Sequence, residues 1–273
     1  MPGRLFLVAT PIGNLSDLSA RAIETLKAVD FIACEDTRHS SKLLAPHGID
    51  KPRVSLPAFA EGQRAGAIIE RIVNGESCAL ITDAGSPAIS DPGERLVAEA
   101  VEAGLDVVPI PGPTALVAAL SASGLPTGRF HFLGFLPREK AEARAMLEEV
   151  KALKATLVLY EAGNRTVETL KLLHEVLGDR RACVARELTK VHEELRRGLL
   201  SQLSGEEPRG EVVLVVEGRS GTERWSEEEL KRALQEGLAR GDRLKSLSNE
   251  LAARAGWTSK DVYRVGLSLK PSQ

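Results

Sequence analysis

The 273-residue chain is poor in the features that mark a metal scaffold, a disulfide framework or a membrane protein. Its three cysteines, Cys34, Cys78 and Cys183, lie far apart, in no Cys-x-x-Cys or Cys/His spacing. That argues against a zinc site and against disulfides, and for a reducing compartment in which the three are small buried hydrophobes. Neither sign of charge dominates, with Lys plus Arg at 36, Asp plus Glu at 38 and a net charge of −2. A global electrostatic footprint for nucleic acid or an anionic membrane is therefore absent, and any such contact must be a local patch. The amino terminus offers only the short run 5–10 after Met-Pro-Gly-Arg, too little for a signal peptide or a span. The expectation is a soluble, cytoplasmic protein with no membrane contact. Neither G-x-G-x-x-G nor a P-loop occurs, so dinucleotide and triphosphate binding lose support. Repeats of 20 to 50 residues and low-complexity segments are also missing.

What the chain does have is alternation. Short apolar runs at 5–8, 31–34, 54–56, 78–81 and 106–110 read as strands, and helical spacing fills 20–29, 38–44, 61–73, 92–103 and 113–121. The pattern predicts an α/β fold whose first domain, 1–126, is a parallel, doubly wound sheet. Gly124-Leu125-Pro126-Thr127-Gly128 reads as a hinge. A second α/β domain, 127–220, follows, with strands at 130–135, 157–160, 182–185, 193–198 and 212–216 and helices at 140–153 and 167–177. Its amphipathic and buried strands predict a mixed sheet. Gly218 to Thr222 reads as a linker, and 224–273 as a small helical tail in helix-turn-helix order. From Lys231 onward that tail holds nine Lys or Arg against four Asp or Glu. A solvated helical cap explains this as well as contact with nucleic acid does.

The chemistry collects where strands should end, the edge at which open α/β sheets bind ligands. Thr10-Pro11-Ile12-Gly13-Asn14-Leu15 follows the first strand, and taken alone it is a structural turn. Glu35-Asp36-Thr37-Arg38 follows the second. Its two carboxylates and arginine suit proton acceptance or the clamping of a polar substrate, with helix capping by Asp36 or Thr37 as the plainer explanation. From Arg38 to Arg53, Arg38, Lys42, Lys51 and Arg53 face Asp50 alone, beside His39 and His47, an excess that suits phosphates and that a solvated helix face explains equally well. Residues 80–93, Leu-Ile-Thr-Asp-Ala-Gly-Ser-Pro-Ala-Ile-Ser-Asp-Pro-Gly, end an apolar run in acids, small residues and prolines. Pro109-Ile110-Pro111-Gly112-Pro113-Thr114-Ala115 fixes a rigid backbone after the fifth strand. Tyr160-Glu161-Ala162-Gly163-Asn164-Arg165 and Arg186-Glu187-Leu188-Thr189-Lys190 put charges at strand ends of the second domain.

Together, Thr10 to Leu15, Glu35 to Arg38, Asp83 to Pro87, Pro111-Gly112-Pro113 and Arg186 to Lys190 resemble the tetrapyrrole methylase superfamily, in its branch that methylates small-subunit ribosomal RNA. The resemblance runs from about residue 4 to the tail. It implies two α/β domains with S-adenosyl-L-methionine in the cleft between them, a homodimer, and a substrate of 16S rRNA within the 30S subunit rather than DNA. The reaction it implies is 2′-O-methylation of a cytidine ribose in the decoding region. By the same resemblance Pro11, Asp83, Gly85, Ser86, Ala88, Ile89, Thr114 and Ala115 contact the cofactor from the first domain, and Tyr160, Glu161 and Arg186 close over it from the second. Glu35 or Asp36 is expected to orient the attacking hydroxyl or accept its proton, with Arg38 and Lys190 binding phosphate; Lys190 is itself a base if burial depresses its pKa. No metal is expected. The family's His-x-x-Asn-Glu-like segment is replaced here by Leu56-Pro57-Ala58-Phe59-Ala60-Glu61, which keeps only the glutamate. Other readings left open are a relative acting on a tetrapyrrole or a protein side chain, and a non-catalytic RNA-binding factor.

Overall fold

The structure is a computed structural model describing residues 1–205, 210–219 and 225–269. Positions 220–222 of the expected linker and the last residues of the tail, 270–273, lie outside the described residues. The chain divides into two compact units, one of residues 1–151 with 155–217 and one of 152–154 with 218–273.

The first unit holds two five-stranded sheets. In the first, β1 (Arg4–Val8), β2 (Phe31–Cys34), β3 (Arg53–Ser55), β4 (Cys78–Ile81) and β5 (Asp106–Ile110) run in the order β3-β2-β4-β1-β5, every pair parallel. Alternation along the strands divides its apolar residues between two faces. Phe6, Val8, Ile32, Cys34, Ala79 and Ile81 pack under α1 (Ala20–Ala28) and α2 (Thr37–Leu44), while Leu5, Leu7, Phe31, Ala33, Cys78 and Leu80 pack under α3 (Glu61–Val73) and α4 (Glu94–Glu102). The sheet is doubly wound, as the βαβ spacing predicts. Because all five strands are parallel, their carboxyl ends share one edge, and the loops singled out after β1, β2, β4 and β5 lie there. The third strand sits one residue earlier than expected. Helix α4 opens at Glu94 rather than Pro92, because Gly93 at φ 132° cannot be helical.

The second sheet, β6 (Phe130–Phe135), β7 (Thr156–Ala162), β8 (Arg181–Arg186), β9 (Glu194–Leu199) and β10 (Glu211–Val216), runs β6-β7-β10-β8-β9 and is mixed: β6 and β7 are parallel and the other pairs antiparallel. One face packs on α6 (Lys140–Val150), α7 (Thr166–Leu177) and the short α8 (Leu200–Leu203), which the apolar pattern did not announce. The other face, with Val158, Cys183, Ala185, Val213 and Val215, packs on α5 (Ala115–Ala122), the helix that follows β5 of the first sheet. Helix α5 therefore follows the first sheet in sequence but packs on the second. Only Ala119 and Leu120 of this mainly apolar helix are buried, and Val117 stands 53% exposed.

In the second unit α9 (Glu227–Ala239), α10 (Leu244–Ala255) and α11 (Ser259–Ser268) close on Leu230, Leu234, Leu247, Leu251 and Val262. Ser226 and Glu229 form the capping box that opens α9, and Gly256, at φ 67°, turns α10 into α11. Four of the tail's basic residues, Lys231, Arg240, Arg254 and Arg264, pair with acids of the same unit. Among the described residues no helix is long and apolar enough to cross a membrane.

Candidate active site

The strand-end loops are laced together by the backbone. Thr10 and Gly85 exchange two main-chain hydrogen bonds, N–H to O at 2.8 and 3.1 Å, joining the loops after β1 and β4. A Cβ on Gly112 would stand 2.9 Å from that of Ala9, so the loop after β5 also lies against the end of β1. Across the cleft the Asn14 N–H donates to Thr189 Oγ1 at 3.0 Å, and a Cβ on Gly13 would stand 2.5 Å from Lys190 Cγ. Only glycine admits that approach.

These loops and the ends of β7, β8 and β10 enclose a mainly apolar cavity of about 370 Å³. Gly85, Ser86, Ile89, Thr114, Ala115, Tyr160 and Glu161, all among the residues expected to contact a cofactor, line it. Pro11, Asp83, Ala88 and Arg186 do not reach its wall; Pro11 is buried in the β1 loop, and Arg186 is bonded to Glu194, its cross-strand partner, at 2.6 Å. The Glu161 carboxylate is fully buried and engaged away from any ligand, accepting from Thr169 Oγ1 at 2.6 Å and the Ala162 N–H at 2.9 Å, with Arg165 at 3.5 Å. Arg165 in turn donates to the carbonyls of Leu136 and Pro137, so Glu161 fixes the segment after β6.

Tyr160 couples the two sheets. Its hydroxyl accepts the Leu116 N–H in the first turn of α5 at 3.2 Å and hydrogen-bonds Thr114, while Phe132 and Phe135 hold its ring at 4.9 and 5.6 Å between centroids. Burial pushes the phenol's pKa up, so it stays neutral.

Among the described residues, every non-glycine residue with positive φ lies in two loops bordering the cavity: Ala88 (66°), Ser90 (61°), Glu187 (49°) and Thr189 (66°). Such conformations cost on the order of 1–3 kcal/mol each and collect at functional sites. The turn bearing Ala88 and Ser90 is closed by Ala88 N–H to Pro92 O at 3.2 Å. It is anchored from outside by Glu61, whose Oε1 accepts the Gly93 and Leu96 N–H groups, both at 3.0 Å, and so caps α4. The one residue retained from the altered 56–61 segment thus has a structural task.

The two adjacent acids after β2 separate in role. Asp36 caps α2, its Oδ1 accepting the Arg38 N–H at 2.7 Å, and that bond lowers its pKa. Glu35 is half-buried, and burial followed by the charge of Asp83 raises its pKa. Asp91, on the cavity wall, was read from the sequence only as part of a rigid loop; burial, then Glu35 and Asp83, hold it at about 6. Asp83 Oδ1 is buried with no hydrogen-bond partner. Lys190 bonds Glu187 at 3.0 Å and Glu211 at 2.9 Å. Partial burial works against its charge, but both carboxylates outweigh it and raise the pKa, the reverse of the depression a lysine base needs. The sequence reading also passed over Ile12, Phe135 and Glu211 on the wall. Glu211 was legible as a charge opening an apolar strand, and Phe135 depends on a register shift at Gly134 that no local pattern shows.

Comparison with known proteins agrees with this architecture. The family profile "Tetrapyrrole (Corrin/Porphyrin) Methylases" matches residues 4–204. The chain is 42% identical over 275 residues to a Synechocystis protein named ribosomal RNA small subunit methyltransferase I, covering 98% of this chain and 99% of that one. It is 48% identical over 224 residues to the protein of the same name from Xylella fastidiosa, with 80% and 82% covered. Among solved structures, a diphthine synthase superposes with a TM-score of 0.64 at 17% identity, over 80% of this chain and 91% of its own, a likeness of fold. The chain belongs to the tetrapyrrole methylase family, which are S-adenosylmethionine-dependent methyltransferases.

Proposed function

We propose that the protein methylates the 2′-hydroxyl of a cytidine ribose in the decoding region of 16S rRNA, within the 30S subunit and in the cytoplasm, as a homodimer. The observation that carries the reading is the cavity itself, bounded by strained strand-end loops, in a chain whose near-full-length relatives bear the rRNA methyltransferase name. Its volume falls within the ~300–1,000 Å³ of small-molecule sites. Apolar walls such as Ile12, Leu188 and Val213 suit an adenosine. S-adenosylmethionine supplies the methyl group as an electrophilic sulfonium carbon.

The rest falls to the residues of the chain. Tyr160, Thr114 and the Glu61-capped turn hold the cavity wall in place, and alignment of this kind is worth up to ~7–11 kcal/mol in ideal geometry. Glu35 accepts the hydroxyl's proton, a role worth roughly 10²–10⁴ in rate. Its raised pKa makes it a better acceptor than the capping Asp36. Lys42, Lys51 and Arg53 lie in the last turn of α2 and up to the start of β3, away from the cavity's sheet edge, while Arg38, at the start of α2 beside the end of β2, has no ion-pair partner among the described residues and binds an RNA phosphate at that edge, with Lys190 across the cleft. Phe59, 93% exposed in the turn after β3, offers an unpaired base a stacking surface there. The test is transfer of labelled methyl to 30S subunits, followed by mapping of the modified nucleotide. Ribonuclease-sensitive label on a single cytidine ribose is expected; label on a protein or a tetrapyrrole refutes the reading. Light scattering reads the dimer.

A further inference from the structure

Asp91 stands on the cavity wall with no counter-charge. It lies in the strained turn between Ser90 and the buried Pro92. Carboxylates act on it from three other places, Glu35 at the end of β2, Asp83 at the end of β4 and Glu211 at the start of β10, and the hydroxyls of Thr82 and Tyr160 are also close. Of these acids Glu211 is answered by Lys190, which also holds Glu187, and Arg186 is taken up by Glu194. Among the described residues Glu35, Asp83 and Asp91 enter no ion pair. Asp91 faces the cavity, Glu35 and Asp83 act on it without lining that wall, and carboxylates so gathered destabilise one another; a cation entering the cavity beside Asp91 relieves the repulsion. S-adenosylmethionine carries such a charge on sulfur, and its demethylated product, S-adenosylhomocysteine, does not.

On the reading that S-adenosylmethionine occupies this cavity, we infer that Asp91 is the charge partner of the sulfonium, losing its proton when the donor binds and regaining one when the methyl group leaves. The steps balance. Binding releases the Asp91 proton to solvent. On transfer the new bond forms between the hydroxyl oxygen and the methyl carbon, the carbon–sulfur electron pair stays on sulfur, and the hydroxyl's proton passes to the carboxylate cluster. The charge that kept Asp91 ionised vanishes in the same step, so the cluster is most basic when a proton must be received. The carboxyl already sits at about 6 in the free protein, so near that pH it has a proton to release.

The test is titration calorimetry of the full chain with S-adenosylmethionine and with S-adenosylhomocysteine, from pH 5 to 7, in buffers of different ionisation enthalpy. If the donor returns Asp91 to its ordinary 3.8, the donor's Kd falls about ninefold from pH 5 to pH 7, with roughly half a proton released at pH 6. The neutral-sulfur product should change less than about twofold and release almost none. In Asp91→Asn, whose folding is checked by its thermal midpoint, the donor should lose its pH dependence. Equal pH dependence of the two wild-type ligands, or an unchanged donor curve in Asp91→Asn, overturns the inference while leaving the cofactor reading intact. Binding of neither ligand overturns the cofactor reading, and this inference with it.

Discussion

Glu61 gives the most direct test of how the cavity wall is held. Helix α4 begins after Gly93, which has no side chain to cap it, and the Glu61 Oε1 takes the Gly93 and Leu96 N–H groups at 3.0 Å each from the first residue of α3. A helix cap is worth about 0.5–2 kcal/mol, and hydrogen bonds to a charged group lie at roughly 1.5–3 kcal/mol. Glu61 is partly exposed, so water recovers some of the loss, and Glu61→Ala should cost ~2 kcal/mol. For a chain of this size that lowers the thermal midpoint by about 4–8 °C. Glu61→Gln keeps the acceptor oxygen without the charge and should lose about half as much. Because Gly93 lies two residues beyond Asp91, Glu61→Ala should also raise the Kd for S-adenosylmethionine. Calorimetric melting and ligand titration read both effects. A midpoint for Glu61→Ala within about 1 °C of wild type would refute the capping argument.

Three further outcomes follow from the same geometry. Tyr160→Phe removes the acceptor of the Leu116 N–H, and steady-state kinetics should show the donor's KM rising about five- to tenfold, ~1–1.4 kcal/mol, with a smaller change in kcat. Asp36→Ala should lower the thermal midpoint through the lost cap yet leave kcat within about threefold, whereas Glu35→Gln should lower kcat by roughly 10²-fold or more. For the wild type, kcat should rise with pH through a value above the ordinary carboxylate range, since Glu35 must be ionised to accept a proton; equal kcat losses in the two variants would reverse the assignment. Asp91 has a native pKa raised from 3.8 to about 6, so the native state favours its neutral form: that stability is present below 3.8 and lost as pH rises through 6. Asp91→Asn cannot lose it and should be more stable than wild type by ~2–3 kcal/mol at pH 7.5 but not at pH 4, a gap that melting across this range would show; a gap independent of pH would contradict the burial argument.

The strand-end loops were legible in the sequence where a signal was local. The break from Leu80-Ile81 into Asp83 and the prolines, the Pro111-Gly112-Pro113 turn and the charges after Cys34 are each written in a few consecutive residues. A parallel sheet then places all such strand ends on one edge. The roles within each cluster were less legible. Asp36 and Glu35 are neighbours with the same chemistry, and only the start of α2 shows that one is a cap and the other stays available. Glu161 follows a cavity-lining tyrosine, yet the strand's alternation turns its carboxylate toward Thr169 on α7.

The sequence by itself determined the two sheets and which loops end their strands, because alternation, helical spacing and proline–glycine turns act over a few residues. Tertiary structure alone decided the electrostatics. Lys190 acquires Glu211, 21 positions away, and Asp91 acquires Glu35, Asp83 and Glu211 from three different segments. Burial and Coulomb interaction depend on distance through space rather than along the chain. The proton that gives Asp91 its proposed role therefore exists only in the folded molecule.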